Sequence, residues 1–406
     1  MAVQGNSQIP ISEGFFKLFK QSILSLLFNW GGIFAGSLVA LNLGIFSLAP
    51  WTLLVYPGIL SMRGAIGGLF CGRITTGLHI GTVKPVLFRN TRHFYLLWHA
   101  IILLTLKSSL LMGTLSSFLG LFLLGSTSAD VLPILGVVIA TMAISLPLIS
   151  PLTILTAILA FSRGLDPDVM VYPVLSTVAD LIVTACYVLV LYIFFFFGTL
   201  GSFLLAFFDL VLLLFSLLIV SKDAKDEEFR ETIKESFFMI LLVTFIVNFT
   251  GLTLGKIAET IGSNEEVYMV YPALIDTVGD VGSIIGSTGT TKIALGTLPP
   301  SISSIRKHLA EIGAAWMSAM VMLTIYSISA SILKASASIY GFLHLTALLY
   351  ATHFQASTIM ALIAFIVGIY TYKRGWDPDN FVIPIESSLA DSITTISLFI
   401  AISIFG

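Results

Sequence analysis

Charge is what this chain lacks. Lys, Arg, Asp and Glu make up 10% of its 406 residues, where soluble domains carry about 25%. Neither sign is in excess: the net charge is −2, which gives no case for a nucleic-acid partner. Cysteine is nearly missing too. Cys71 and Cys186 both fall in apolar stretches without metal-like spacing, which excludes a disulfide framework. No polar stretch is long enough to fold as a soluble domain, and the longest, SKDAKDEEFRETIKES (221–236), reads as a connector. The polar start MAVQGNSQIPISEG leads into an apolar run too long for the core of a cleavable leader. What fills the chain instead is apolar: 57% of residues, with a mean hydropathy of +1.01. Apolar runs of helix-spanning length recur from end to end, so the chain reads as an all-α polytopic membrane protein with the lipid bilayer as its solvent.

Eleven spans are predicted, at about 22–44, 51–72, 95–123, 131–161, 171–197, 200–220, 236–257, 270–288, 309–333, 341–371 and 381–405. The second and eighth are rich in Gly, Ser and Thr and open to interruption. Gly198 and Gly201 divide an apolar run that is too long for one helix and right for two. Lys and Arg then set the orientation. Eleven spans put the clusters at 17–20, 73–92, 163, 222–234, 306–307 and 373–374 on one side, while the connections near 45–50, 125–130 and 259–268 carry none. The expectation is a multi-pass protein of the plasma membrane with a cytoplasmic N-terminus and an outer C-terminus.

The chain also repeats itself. "YPGILSMRGAIGGLFCGRITTGLHIGTVKP" (56–85) aligns without a gap with "YPALIDTVGDVGSIIGSTGTTKIALGTLPP" (271–300). "RGLDPDVMVYPVLSTVADLI" (163–182) aligns likewise with "RGWDPDNFVIPIESSLADSI" (374–393). Pro57 and Pro173 stand 116 residues apart, and Pro272 and Pro384 stand 112 apart. The chain is therefore read as a first five-helix repeat (1–197), a connecting transmembrane helix with its linker (198–224), and a second five-helix repeat (225–406). The odd connecting helix returns the chain to the starting side, so both repeats point the same way. A pseudo-two-fold axis then runs along the membrane normal, and one fused chain should function alone.

An ionisable group at membrane depth marks a functional site by default. Asp180 and Asp391 occupy the same repeat position, and Ser176 and Ser387, four residues earlier, face the same way. Thr177 and Ser388 add further hydroxyls. Symmetry would bring the two carboxylates to one axis, where oxygen ligands suit a divalent cation; Mg2+ keeps several waters and uses one or two carboxylates. The competing reading is a buried, protonated or partnered pair that only holds helices together; the lack of a basic residue at matching depth in either repeat weighs against it. Asp276 and Asp280 add acidity in the second repeat alone, since the first has Ser61 and Ala65 there. Asp166, Asp168, Asp377 and Asp379 form Asp-Pro-Asp turns that suit either helix caps or a cytoplasmic cation vestibule. Asp209 has no repeat partner and no assigned role, and His344 and His353 are expected to pack within the bundle.

These motifs resemble a known family. The Pro57-to-Gly64 stretch, with its ending from Arg73 to Gly81, is similar to the second-helix signature of MgtE-type magnesium transporters, nearest to their two-repeat solute-carrier branch. "DPDNFVIPIESSLADSIT" (377–394) is similar to that family's last-helix signature. The resemblance spans both repeats. It implies Mg2+, or a similar divalent cation, as the transported ion with no resident cofactor and no enzyme activity. It places the family's pore carboxylate on Asp180 and Asp391. The family's Asn after the second-helix Gly falls on Ala65 and Asp280, a departure from a symmetric site. The cytosolic sensor domains of bacterial members have no counterpart here, which leaves an exchanger or a secondary transporter for a monovalent or organic cation as the alternative. An intramembrane aspartyl protease is disfavoured, because "TVGDVG" (277–282) has Thr277 where its motif needs Gly.

Overall fold

The structure, a computed structural model, describes residues 11–87, 89–162, 167–261, 265–334, 338–374 and 379–405. Among them there is no strand. The helices are α1 (Ile11–Leu26), α2 (Gly32–Leu41), α3 (Leu43–Phe46), α4 (Trp51–Ile80), α5 (Arg92–Leu123), α6 (Val131–Ser162) and α7 (Pro167–Phe196). They continue as α8 (Gly198–Asp223), α9 (Glu227–Ile261), α10 (Glu265–Ala294), α11 (Leu309–Leu333), α12 (Ile339–Lys373) and α13 (Asp379–Phe405). Nine stretches of the described residues are long and apolar enough to cross a membrane. The two other predicted spans fall on α10, which carries Asp276 and Asp280, and on α13, whose Leu389–Phe405 is a shorter apolar helix. The ninth predicted span coincides with α11, and Phe197 separates α7 from α8, which opens on Gly198 at φ +53°.

Three expectations change. The second and eighth spans are not interrupted: α4 and α10 are each continuous over 30 residues. Their hydroxyls bond back to the helix instead of breaking it, as Ser61 does to the Pro57 carbonyl (3.0 Å) and Thr288 to that of Ile284 (2.6 Å). The interruption falls in the first span, where a 3-10 turn at Leu27–Gly31 separates α1 from α2. The polar run at 221–236 is mostly helix, and the connector shrinks to three residues between α8 and α9. The Asp226 carboxylate accepts from the Glu228 amide (3.1 Å), and Glu227 and Glu228 suit the positive end of α9.

The repeats fold alike in detail. Gly81 and Gly296, which coincide in the sequence alignment, are both left-handed, at φ +81° and +72°, and end the equivalent helices α4 and α10. The Val83 amide bonds the Gly77 carbonyl (2.9 Å), and its equivalent, Leu298, bonds that of Lys292 (3.1 Å). Thr82 and Thr297 cap the same two carbonyls.

Packing divides the chain into two compact units, Met1–Trp30 with Ala273–Ala401 and Gly31–Pro272 with Ile402–Gly406. In the first unit α1 lies along α11. In the second, α9 lies along α4 and α5, and α8 covers α5, α6 and α7 while leaving most of its own apolar surface outward. The first helix of each repeat thus packs on helices of the other repeat. Glycine makes this approach close, as expected where lipid removes any hydrophobic drive between helices. A Cβ at Gly251 of α9 would fall 1.9 Å from the Leu54 carbonyl oxygen of α4. A Cβ at Gly36 of α2 would fall 2.1 Å from the carbonyl oxygen of Met269, the repeat equivalent of Leu54.

Candidate functional site

In the first unit, α10 carries Asp276 and Asp280 one turn apart, with Ser283 and Ser287 continuing the face. The flank of this face is anchored: Thr277 Oγ1 lies 3.0 Å from the Tyr326 hydroxyl, which also reaches the Leu26 carbonyl (3.3 Å). The 3-10 turn between α1 and α2 supplies a partner. Asn29, only 3% exposed, donates from Nδ2 to Asp280 Oδ2 at 2.8 Å. Trp30 pins the same turn by donating from Nε1 to Ser329 Oγ at 2.9 Å. The amide fixes one oxygen of Asp280.

Helix α13 meets α10 beside this carboxylate. A Cβ at Gly279 would lie 3.3 Å from that of Ala390. The helices therefore touch at the residues directly before Asp280 and Asp391, which brings these two predicted site residues to one level. Asp391 is half-buried, and its backbone carbonyl accepts from Thr395 Oγ1 (2.6 Å).

In the second unit, Asp180 is half-buried on α7, with Ser176 and Thr177 in the preceding turn. Two hydrogen bonds set α7 against α4: Tyr56 OH to Thr184 Oγ1 (3.1 Å), and Tyr187 OH to the Thr52 carbonyl (2.7 Å). The chain closes tightly over Thr177, since a Cβ at Gly31 would fall 2.4 Å from Thr177 Cγ2. Along α4, by contrast, Gly64, Gly67 and Gly72 face open space.

One premise of the sequence reading is corrected here. A basic residue does stand at membrane depth: Arg63, in the middle of α4, is 3% exposed. Its Nη2 donates to Ser150 Oγ of α6 at 3.4 Å, while Nε and Nη1 are buried without hydrogen-bond partners. The repeat equivalent is Val278, so this cation belongs to one half only.

Among the described residues, no three of His, Cys, Asp and Glu converge as a metal cage would require. His353 packs as expected, with its Nδ1 2.7 Å from Ser357 Oγ and its ring edge-on to Trp316, but His344 lies exposed on α12. The expected packing of His344 fails because it falls on an outward face of α12, while its neighbour Leu345 is buried. Asp209 of α8 abuts Gly136 of α6, and its Oδ1 is buried without a hydrogen-bond partner. Asp166 and Asp377 lie outside the described residues, as do the side chains of Asp168, Asp379, Ser387 and Ser388.

Asn29 is the site residue that sequence reasoning missed, and Arg63 is the buried charge that it missed. Asn29 had a readable signal: "NWGGIFAG" (29–36) and "NFTGLTLG" (248–255) share Asn, an aromatic and two glycines at identical spacing. Asn248, the equivalent, accepts from Ser116 Oγ (2.8 Å) and donates to the Thr244 carbonyl (2.7 Å), because the first repeat has Ala65 where the second has Asp280. Arg63 was visible as a lone charge in an apolar run, the same signal that singled out the aspartates.

Comparison with family profiles matches the chain to MgtE, divalent cation transporter, over residues 56–190 and 271–401. Both segments start at the Tyr-Pro pair that opens the internal repeat. Comparison with curated proteins and with solved structures gives no significant match.

Proposed function

The chain belongs to the MgtE family of divalent cation transporters, and from that premise we propose that it moves Mg2+ along the interface of its two fused repeats. The family is one of transporters, not of enzymes, and the cation is the cargo. The observation that carries the reading is the meeting of α10 and α13 beside Asp280 and Asp391, with Asn29 holding Asp280. Mg2+ gives up its waters reluctantly and is held by one or two carboxylates rather than a full protein cage. Two carboxylates at one level, with hydroxyls in the adjacent turns, suit such a partly hydrated ion. In this reading Asp180 of the first repeat completes the pair with Asp391, Asp276 extends the acidic face, and Asp166, Asp168, Asp377 and Asp379 form the cytoplasmic vestibule. The chain crosses the plasma membrane eleven times, with the N-terminus inside and the C-terminus outside, and a single chain is enough.

Thermal stability against a panel of cations tests this. A ligand at 100 times its Kd stabilises the folded state by about 2.7 kcal/mol. Mg2+ at millimolar concentration is expected to raise Tm by several degrees, and Asp391→Asn to remove most of that rise. A chain that ignores Mg2+, Mn2+ and Ca2+ but is stabilised by Na+ or an organic cation belongs to the alternative class, a secondary transporter for such an ion.

A further inference from the structure

Arg63 has no place in the site as described so far. A guanidinium at membrane depth is costly and occurs where it meets a partner or a water-filled path. Here its visible partner is a neutral hydroxyl at 3.4 Å, and two of its nitrogens bond nothing. Among the described residues no carboxylate pairs with it.

The geometry of the second unit shows which carboxylate is in reach. Thr52, Tyr56 and Arg63 lie on one stripe of α4, because steps of four and seven residues return to the same helix face. Tyr187, Thr184 and Asp180 lie on one stripe of α7 for the same reason. The bonds Tyr56–Thr184 and Tyr187–Thr52 show that these stripes face each other and run antiparallel. One turn along α4 from Tyr56 and one turn back along α7 from Thr184 bring Asp180 to the depth of Leu60. A long helical side chain leans over the turn before its own Cα. The head of Arg63 therefore lies at the depth of Ile59 and Leu60, on the face that Asp180 presents to α4.

We propose that Arg63 is a tethered internal cation: it alternates between Ser150, where it lies here, and Asp180, and so competes with Mg2+ for the Asp180 carboxylate. The helices need not unfold for this, only a change of side-chain rotamer. The tether would neutralise the empty site and let the ion-free transporter reset without an uncompensated charge. Because only the first repeat carries it, the two halves would handle the ion unequally. The proposal rests on the reading of Asp180 as an ion ligand.

The test is Mg2+ binding to the purified chain by titration calorimetry, for the wild type, Arg63→Gln, Arg63→Lys, Asp180→Asn and the double variant. A competing internal cation should weaken Mg2+ binding, so Arg63→Gln is expected to bind roughly tenfold more tightly, and Arg63→Lys to stay near the wild type. The gain should vanish in the Asp180→Asn background. If Asp180→Asn weakens binding while Arg63→Gln leaves it unchanged or weaker, the tether is wrong and the ion site stands. If Asp180→Asn binds as the wild type does, the ion-ligand reading itself fails. A second measurement needs no variant: Mg2+ added to the wild type should shift the guanidinium bands in an infrared difference spectrum, and a spectrum without an arginine signal would overturn the proposal.

Discussion

Asn29 and Asp280 carry the most direct test of the site at the scale of single residues. The Asn29 amide donates to a carboxylate it reaches across 251 positions of sequence. Asn29→Asp replaces the donor with a second carboxylate at the same place. Like charges at that separation repel strongly where water is scarce, so the variant is expected to melt lower than the wild type without Mg2+ and to regain most of the loss with it. Loss of stability that Mg2+ does not restore would argue against cation binding at Asp280. The acidic residues were legible in the sequence because a carboxylate in an apolar run is conspicuous and the repeat showed two of them in register. Asn29 was not picked out, because one neutral amide hardly alters the hydropathy of a span and its partner lies in another repeat. Arg63 was passed over because the orientation argument deals with charges at helix ends, and this one is buried in mid-helix.

At the scale of elements, the glycines separate into two kinds. Gly251 of α9 touches the backbone of α4, which cannot move aside as a side chain can. Gly251→Ala should therefore push the two helices apart and cost about 1–3 kcal/mol, read as a fall in Tm. Gly67→Ala, on the open side of α4, should leave Tm close to that of the wild type. Equal effects of the two substitutions would contradict the close α9–α4 approach. Sequence alone marked glycine-rich helices but could not sort their glycines, since spacing does not say what a glycine touches. It went wrong on the second and eighth spans for a related reason: Ser and Thr are poor helix formers in water, yet their hydroxyls can satisfy the carbonyl one turn back and leave a buried helix intact. Gly81 and Gly296 were the opposite case. Their coincidence in the alignment has a single cause, a left-handed residue closing each repeat's second helix.

At the scale of the whole molecule, the all-α membrane class and the duplication were legible, because both follow from patterns that run the full length of the chain. The exchange of first helices was not. An apolar helix shows that it will be buried but not by which partner, and only the structure places α1 on α11 and α9 on α4 and α5. The compact units therefore cut the chain at different points than the repeats do. The central claim, that the duplicated aspartates carry a divalent cation through the fused chain, is tested most directly by Mg2+ flux into liposomes holding the purified protein and an internal Mg2+-sensitive dye. Wild-type protein should admit Mg2+, and Asp180→Asn and Asp391→Asn should each lower the initial rate at least tenfold while the protein remains folded. Undiminished Mg2+ flux in both variants would contradict the account.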